Sequence, residues 1–174
     1  MPRQLTAEDA RQSLTAHVAA KGAEVFARFG GAPDGAALQI LLTDRTQVRY
    51  PCEIMFDDVP LQPGEFAYPV QRGESPEDGF TMVVHPFFAA RPDLVPALVL
   101  YQLVAVNYGE FASADEAETY GAAALGLTRD EYYARLCDCA DQLAAACGLE
   151  PEAVATDLPA HGGCGGGGGC SCGG

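Results

Sequence analysis

The sequence predicts an α+β domain with an N-terminal helix, a small, mostly antiparallel sheet and a C-terminal helical layer, followed by an unstructured Gly/Cys-rich tail. Residues 94–108 (LVPALVLYQLVAVNY) are apolar on almost every side of a helix, interrupted only by the amides Gln102 and Asn107, and such a helix belongs inside a core. Segments with strand periodicity precede it, and capped helices follow it. We place a single domain at residues 1–158 and a flexible tail at 159–174.

Length and charge limit the organisation and the partners. A chain of 174 residues with 48% hydrophobic residues can form one core but is short for two. The formal net charge is −14 and Lys21 is the sole lysine, so we expect neither nucleic acid nor a membrane as a partner. The N-terminal residues lack an apolar signal segment. Together with the odd number of cysteines, seven, this predicts a cytoplasmic protein with reduced thiols.

The first predicted helix begins after Thr6 and runs to about Phe29. Acidic residues in its first turn favour this position of the N-terminus, and the pair Gly30–Gly31 favours an end there. Apolar residues recur along it at helical spacing: Ala10, Leu14, Val18, Val25 and Phe29.

Three or four strands are predicted after this helix. ALQILLT (37–43) and QVRYPCEIMF (47–56) suggest a hairpin, because both are rich in strand-forming residues and a short polar turn separates them. Pro51 lacks a donor for the ladder and therefore places the second strand at an edge or a bulge. FAYPV (66–70) is a short extended segment, and FTMVVHP (80–86) predicts a buried strand.

Two capped helices follow the central helix. Ser113 and Glu116 have the S-x-x-E spacing of a capping box before a helix of small residues. Thr128 and Glu131 repeat this spacing before a helix that stops at Gly148. The predicted buried face of this last helix comprises Tyr133, Leu136, Ala140, Leu143 and Cys147.

Four cysteines lie in apolar segments, where a reduced cysteine usually behaves as a small buried hydrophobic residue. They are Cys52, Cys137, Cys139 and Cys147.

The tail AHGGCGGGGGCSCGG carries the clearest chemical signal. So much glycine cannot form a core, yet the tail contains His161, Cys164, Cys170 and Cys172. These soft nitrogen and sulfur ligands suit zinc or cuprous ion, although H-x2-C-x5-C-x-C is not an established zinc-finger spacing. We therefore predict a non-catalytic protein whose tail binds zinc or copper, or delivers it to an unidentified protein partner.

The same tail has a second interpretation. Gly- and Cys-rich C-termini behind a folded leader resemble precursors of ribosomally synthesised, post-translationally modified peptides. The resemblance implies that a modifying enzyme cyclises or crosslinks Cys164, Cys170, Ser171 and Cys172, and that the GlyGly pair at 162–163 is a cleavage point. An unmodified flexible tail is the third possibility.

The order of elements within residues 80–127 carries another resemblance. A buried strand, a Pro-bounded loop, a core helix and a small-residue helix rich in early glutamates follow one another there. This order resembles compact zinc peptidases of the HExxH, gluzincin-like kind. In those families the core helix carries HExxH and the following helix supplies a glutamate ligand.

The residues that carry the chemistry of those peptidases are replaced in this chain. Tyr101 and Ala105 stand at the two histidines, Gln102 stands at the catalytic glutamate, and Glu116 or Glu118 could match the downstream glutamate. A neutral phenol, an amide and a methyl group replace neither the zinc ligands nor the general base. The resemblance thus implies a pseudoenzyme. In an unrelated domain, Tyr101 and Gln102 would be core residues hydrogen-bonded to backbone.

Overall fold

The computed structural model describes residues 6–149, which combine α-helices with a small three-stranded sheet. This combination confirms the α+β class. The regular elements in chain order are helices α1 (Ala7–Phe29) and α2 (Gly35–Thr43), strands β1 (Cys52–Phe56), β2 (Ala67–Gln71) and β3 (Phe80–Val84), and helices α3 (Val95–Tyr108), α4 (Ala114–Leu125) and α5 (Arg129–Cys147). Within residues 6–149, no helix has both the length and the apolar character that crossing a membrane requires.

Helix α3 lies in the centre of the core, as predicted. Eleven of its 14 residues are buried. It contacts α4 and α5 as well as strands β2 and β3 and helix α2, so neighbouring elements cover it on several sides. An apolar surface all round is therefore what its position requires.

Strand β3 is the central strand of the sheet. It pairs in parallel with β1 and antiparallel with β2, so the sheet is mixed where we expected mostly antiparallel pairing. The difference arises because the predicted hairpin partner of β1 is absent from the sheet. Pro51 directly precedes β1. Because Pro51 has no backbone N–H, an edge position was predicted for this strand, and β1 is an edge strand of the sheet.

Residues 37–43 belong to helix α2, and the prediction of a strand there is wrong. Asp34 caps this helix, since its Oδ1 accepts a hydrogen bond from the Ala37 N–H at 2.8 Å. A short apolar run suits a strand or a helix equally, and the cap and the burial pattern decide between them here. Ile40 points outward and is 54% exposed. The fully buried residues follow helical spacing: Leu38, Leu41 and Leu42.

Helices α1 and α4 pack closely against each other. The capping box of Thr6 and Asp9 and the left-handed Gly30 confirm the predicted ends of α1. Gly22 faces α4, where a Cβ atom would lie 2.5 Å from the carbonyl oxygen of Tyr120. The absence of a side chain at this position therefore sets the separation of the two helices.

Both predicted capping boxes of the C-terminal helices are present, but the buried face of α5 is displaced by one residue at its start. Tyr132 is fully buried, whereas Tyr133 is 48% exposed and Cys147 is also exposed, so the prediction for these two residues is wrong. Tyr132 is the buried tyrosine because its ring lies against Gly121, which leaves room for it. The predicted burial is confirmed at Leu136, Ala140 and Leu143.

Candidate functional site

The predicted metal ligands His161, Cys164, Cys170 and Cys172 lie outside the described residues. Their arrangement therefore stays a prediction, and so does the modification of Ser171 and its neighbouring cysteines. Within residues 6–149, no three His, Cys, Asp or Glu side chains come together in a group that could hold a metal ion.

The three positions matched to the HExxH motif lie on α3. Tyr101 is 2% exposed and its ring meets that of Phe66 edge-on, with 6.1 Å between ring centroids. Gln102 is also buried, and its Oε1 has no hydrogen-bond partner among the described residues, contrary to the expected backbone bond. Ala105 is only partly buried. These side chains form a packed interior in which one amide oxygen is left without a donor.

The two glutamates matched to the downstream ligand are already engaged. Glu116 Oε1 accepts a hydrogen bond from Thr15 Oγ1 at 3.0 Å, and its Oε2 accepts one from the Ser113 N–H at 3.0 Å. Burial opposes ionisation of this carboxyl, but the hydrogen bonds from Ser113 and Thr15 prevail and lower its pKa. Glu118 pairs with Arg129 Nε at 2.7 Å. Glu116 therefore fixes the start of α4 and ties it to α1.

The four cysteines of the described part are free and differ in their environments. Cys52 and Cys139 are buried, as predicted, whereas Cys137 is half-buried and Cys147 is exposed. Burial raises the pKa of Cys52 to about 12 and that of Cys139 to about 11. At neutral pH both are thiols, which makes them poor nucleophiles and poor metal ligands.

Two tyrosines whose burial the sequence did not predict, Tyr120 and Tyr132, lie in the core. The Tyr132 hydroxyl donates a hydrogen bond to the Ala97 carbonyl oxygen at 2.6 Å. The Tyr120 hydroxyl is buried without a hydrogen-bond partner among the described residues, and burial raises its pKa. The signal for Tyr132 was Gly121, since a glycine inside a helix indicates close approach by a neighbouring group.

The turn between α2 and β1, residues 44–49, is held in a defined shape by the end of α3. Asn107 Oδ1 accepts a hydrogen bond from the Arg49 N–H at 2.8 Å, and its Nδ2 donates one to the Gln47 carbonyl oxygen at 3.2 Å. At the start of the turn, Asp44 forms an ion pair with Arg28. In the sequence, Asn107 is visible only as an amide that interrupts an apolar helix, because the two residues that it binds lie about 60 positions away.

Comparison of the chain with protein-family models, with curated proteins and with solved structures finds no match.

Proposed function

We propose that this protein is a non-catalytic carrier of a soft metal ion, in which His161, Cys164, Cys170 and Cys172 bind zinc or cuprous ion. The observation that carries the proposal is the distribution of the thiols along the chain. Three cysteines and a histidine fall within residues 161–172, in a glycine-rich sequence that places few steric limits on wrapping around an ion.

The cysteines of the folded part are less suitable ligands. Metal binding requires the thiolate, and the pKa values of about 12 for Cys52 and about 11 for Cys139 keep these two groups protonated at neutral pH. A cysteine with an ordinary pKa of about 8.5 loses its proton far more readily to an incoming metal. This difference favours the tail as the site of uptake.

In this proposal the folded part is a scaffold without catalytic chemistry. Tyr101 and Gln102 offer neither a zinc ligand nor a base, and both carboxylate oxygens of Glu116 already accept hydrogen bonds. Descent from an HExxH peptidase is part of the proposal, and so is a location in the cytoplasm, where the tail thiols would remain reduced. The metal would pass to a protein partner.

Metal uptake by the full chain under reducing conditions tests the proposal. The test variant carries Cys164→Ser, Cys170→Ser and Cys172→Ser. The control variant carries Cys137→Ser and Cys147→Ser, which removes the two less buried thiols of the folded part. We expect stoichiometric binding of zinc or cuprous ion by the wild type and the control, and loss of binding in the tail variant. Equal uptake by all three proteins would contradict the proposal.

A modified-peptide precursor is the second candidate function. Helix α5 ends at Cys147 with Gly148 in the left-handed conformation, before the Gly/Cys-rich sequence begins. A folded leader followed by a separate core peptide requires this order. In the native host, each azole formed from Cys164, Cys170, Ser171 or Cys172 would lower the intact mass by one water and two hydrogens, whereas a metal carrier would keep the unmodified mass.

A further inference from the structure

A cavity of about 190 Å³ lies beside the turn 44–49. Three positively charged residues line it, Lys21 from α1 together with Arg45 and Arg49 from the turn. They are three of only ten Lys and Arg residues in a chain of net charge −14. So many cations around one depression require an explanation in a protein that is otherwise acidic.

The two arginines of this cavity form no direct ion pair among the described residues, although the Glu77 carboxylate lies close enough for its charge to interact with both. Lys21 forms an ion pair with Glu24 at 2.7 Å, but neither Arg45 nor Arg49 has an ion-pair partner within 4.0 Å in the described part of the chain. Guanidinium groups bind carboxylate and phosphate oxygens through paired hydrogen bonds. The cavity therefore offers donors to an oxyanion.

The backbone that carries these arginines is preorganised. Asn107 binds the N–H of Arg49 and the carbonyl of Gln47, and the ion pair of Asp44 with Arg28 fixes the start of the turn. A ligand that binds here does not have to order the turn, so less of its binding free energy is lost to conformational entropy.

Gln47, which also lines the cavity, carries an acceptor without a donor. Gln47 Oε1 is buried and has no hydrogen-bond partner among the described residues, while Gln47 Nε2 donates a long hydrogen bond of 3.4 Å to Glu24. A buried carbonyl oxygen without a donor is unfavourable, and because Oε1 has no exposed surface, the Gln47 amide has to turn toward the cavity before a ligand hydroxyl can satisfy it.

We propose that this cavity binds a small oxyanion that carries a hydroxyl group, with Arg45, Arg49 and Lys21 on the anionic group and Gln47 Oε1, turned toward the cavity, on the hydroxyl. The cavity is smaller than the ~300 Å³ at which pockets for drug-sized ligands begin, so the ligand is small. The net charge of −14 repels anions at long range, so recognition depends on these short-range contacts. A hydroxy acid and a phosphate ester of a small alcohol share this chemistry.

Titration of the isotopically labelled full chain, followed by NMR, tests the site and distinguishes the two sources. The hydroxylated probes are malate and glycerol 3-phosphate, and their counterparts without the carbon-bound hydroxyl are succinate and methyl phosphate. The test variant is Arg45→Gln with Arg49→Gln. The control is Arg135→Gln, which removes an exposed arginine from α5.

We expect at least one hydroxylated probe to shift the amide signals of Gln47 and Arg49, and to bind more tightly than its hydroxyl-free counterpart. Loss of both arginines should weaken binding by roughly tenfold or more, because two charge-assisted contacts disappear, while the control binds as the wild type. The site is contradicted if all four probes leave these signals unchanged, or if the control loses as much affinity as the test variant. Equal affinity within each probe pair would overturn the function given to Gln47.

Discussion

The Tyr132 hydroxyl and the Ala97 carbonyl oxygen are joined by a 2.6 Å hydrogen bond that links α5 to the first turn of the central helix α3. Both groups are buried. The Ala97 carbonyl lies within α3 and can also accept the regular helical hydrogen bond, whereas the Tyr132 hydroxyl depends on this contact for a polar partner away from water. This contact and the close approach of the Tyr132 ring to Gly121 fix the position of α5 on the core.

Loss of this hydroxyl should destabilise the domain moderately. Tyr132→Phe keeps the ring and removes one buried hydrogen bond, so we expect the free energy of unfolding to fall by about 1–2 kcal/mol. Tyr68→Phe is the control, because that half-buried side chain lies on the sheet and should change the free energy by less than about 0.5 kcal/mol. Urea denaturation of the two variants measures the difference, and equal stability would show that the Tyr132–Ala97 contact contributes little.

The central position of α3 predicts that it cannot accept a charge. Val99→Asp and Leu103→Asp place a carboxylate at positions with no exposed surface, which costs several kcal/mol and should unfold the domain. Val59→Asp makes the same kind of change at a side chain that is 86% exposed and should leave the circular dichroism spectrum unchanged. A folded Leu103→Asp protein with a wild-type melting temperature would contradict the position of α3 in the centre of the core.

The glycines at helix contacts predict a reversal of the usual effect of alanine. Gly→Ala inside a helix normally stabilises by about 0.5–1 kcal/mol. At Gly22, however, the added Cβ would lie 2.5 Å from the Tyr120 carbonyl oxygen, and at Gly121 it would lie 2.2 Å from Tyr132 Cζ. We expect both substitutions to lower the melting temperature. At Gly35 nothing lies within 4 Å of the added Cβ, so Gly35→Ala should leave the melting temperature unchanged or raise it. If all three substitutions change the melting temperature in the same direction, the close contacts at Gly22 and Gly121 are contradicted.

Local signals predicted the helical part of the fold well and the sheet less well. The capping boxes and glycine stops of α1, α4 and α5 are read within a few residues, and each was found where the sequence placed it. The prediction of a strand at residues 37–43 is wrong because a short apolar run has no distinctive period. The parallel pairing of β1 with β3 depends on partners distant in sequence, which no local pattern contains.

The two candidate sites also differ in how far local sequence predicts them. The thiols and the histidine of the tail are evident from the sequence because their chemistry is concentrated in a few residues. By contrast, the cavity at residues 44–49 is assembled from α1, the turn and the end of α3. Nothing within the turn itself indicates that Asn107 holds it or that Lys21 lies beside it.

The buried thiols predict a loss of stability in alkaline solution. Above pH about 8.5, the ordinary pKa of a thiol, the unfolded chain releases protons that the folded chain keeps. The folded pKa is about 11 for Cys139 and about 12 for Cys52, so the free energy of unfolding falls as the pH rises through this window. Cys52→Ala should reduce this decline in the free energy of unfolding, measured by urea denaturation between pH 8 and 10. Replacement of the exposed Cys147 by alanine should not reduce it. If the free energy of unfolding falls equally steeply with pH in both variants, the decline does not arise from the buried Cys52 thiol.

The proposed function is tested most directly by native mass spectrometry of the reduced full chain, isolated from its own host and titrated with zinc and with cuprous ion. We predict an unmodified polypeptide mass and stoichiometric metal uptake that releases protons, since the ligands are thiolates. Substitution of Cys164, Cys170 and Cys172 by serine should abolish uptake and leave the melting temperature nearly unchanged. An unmodified mass without any metal uptake, or a mass lowered by one water and two hydrogens for each ring formed, would contradict the metal-carrier function.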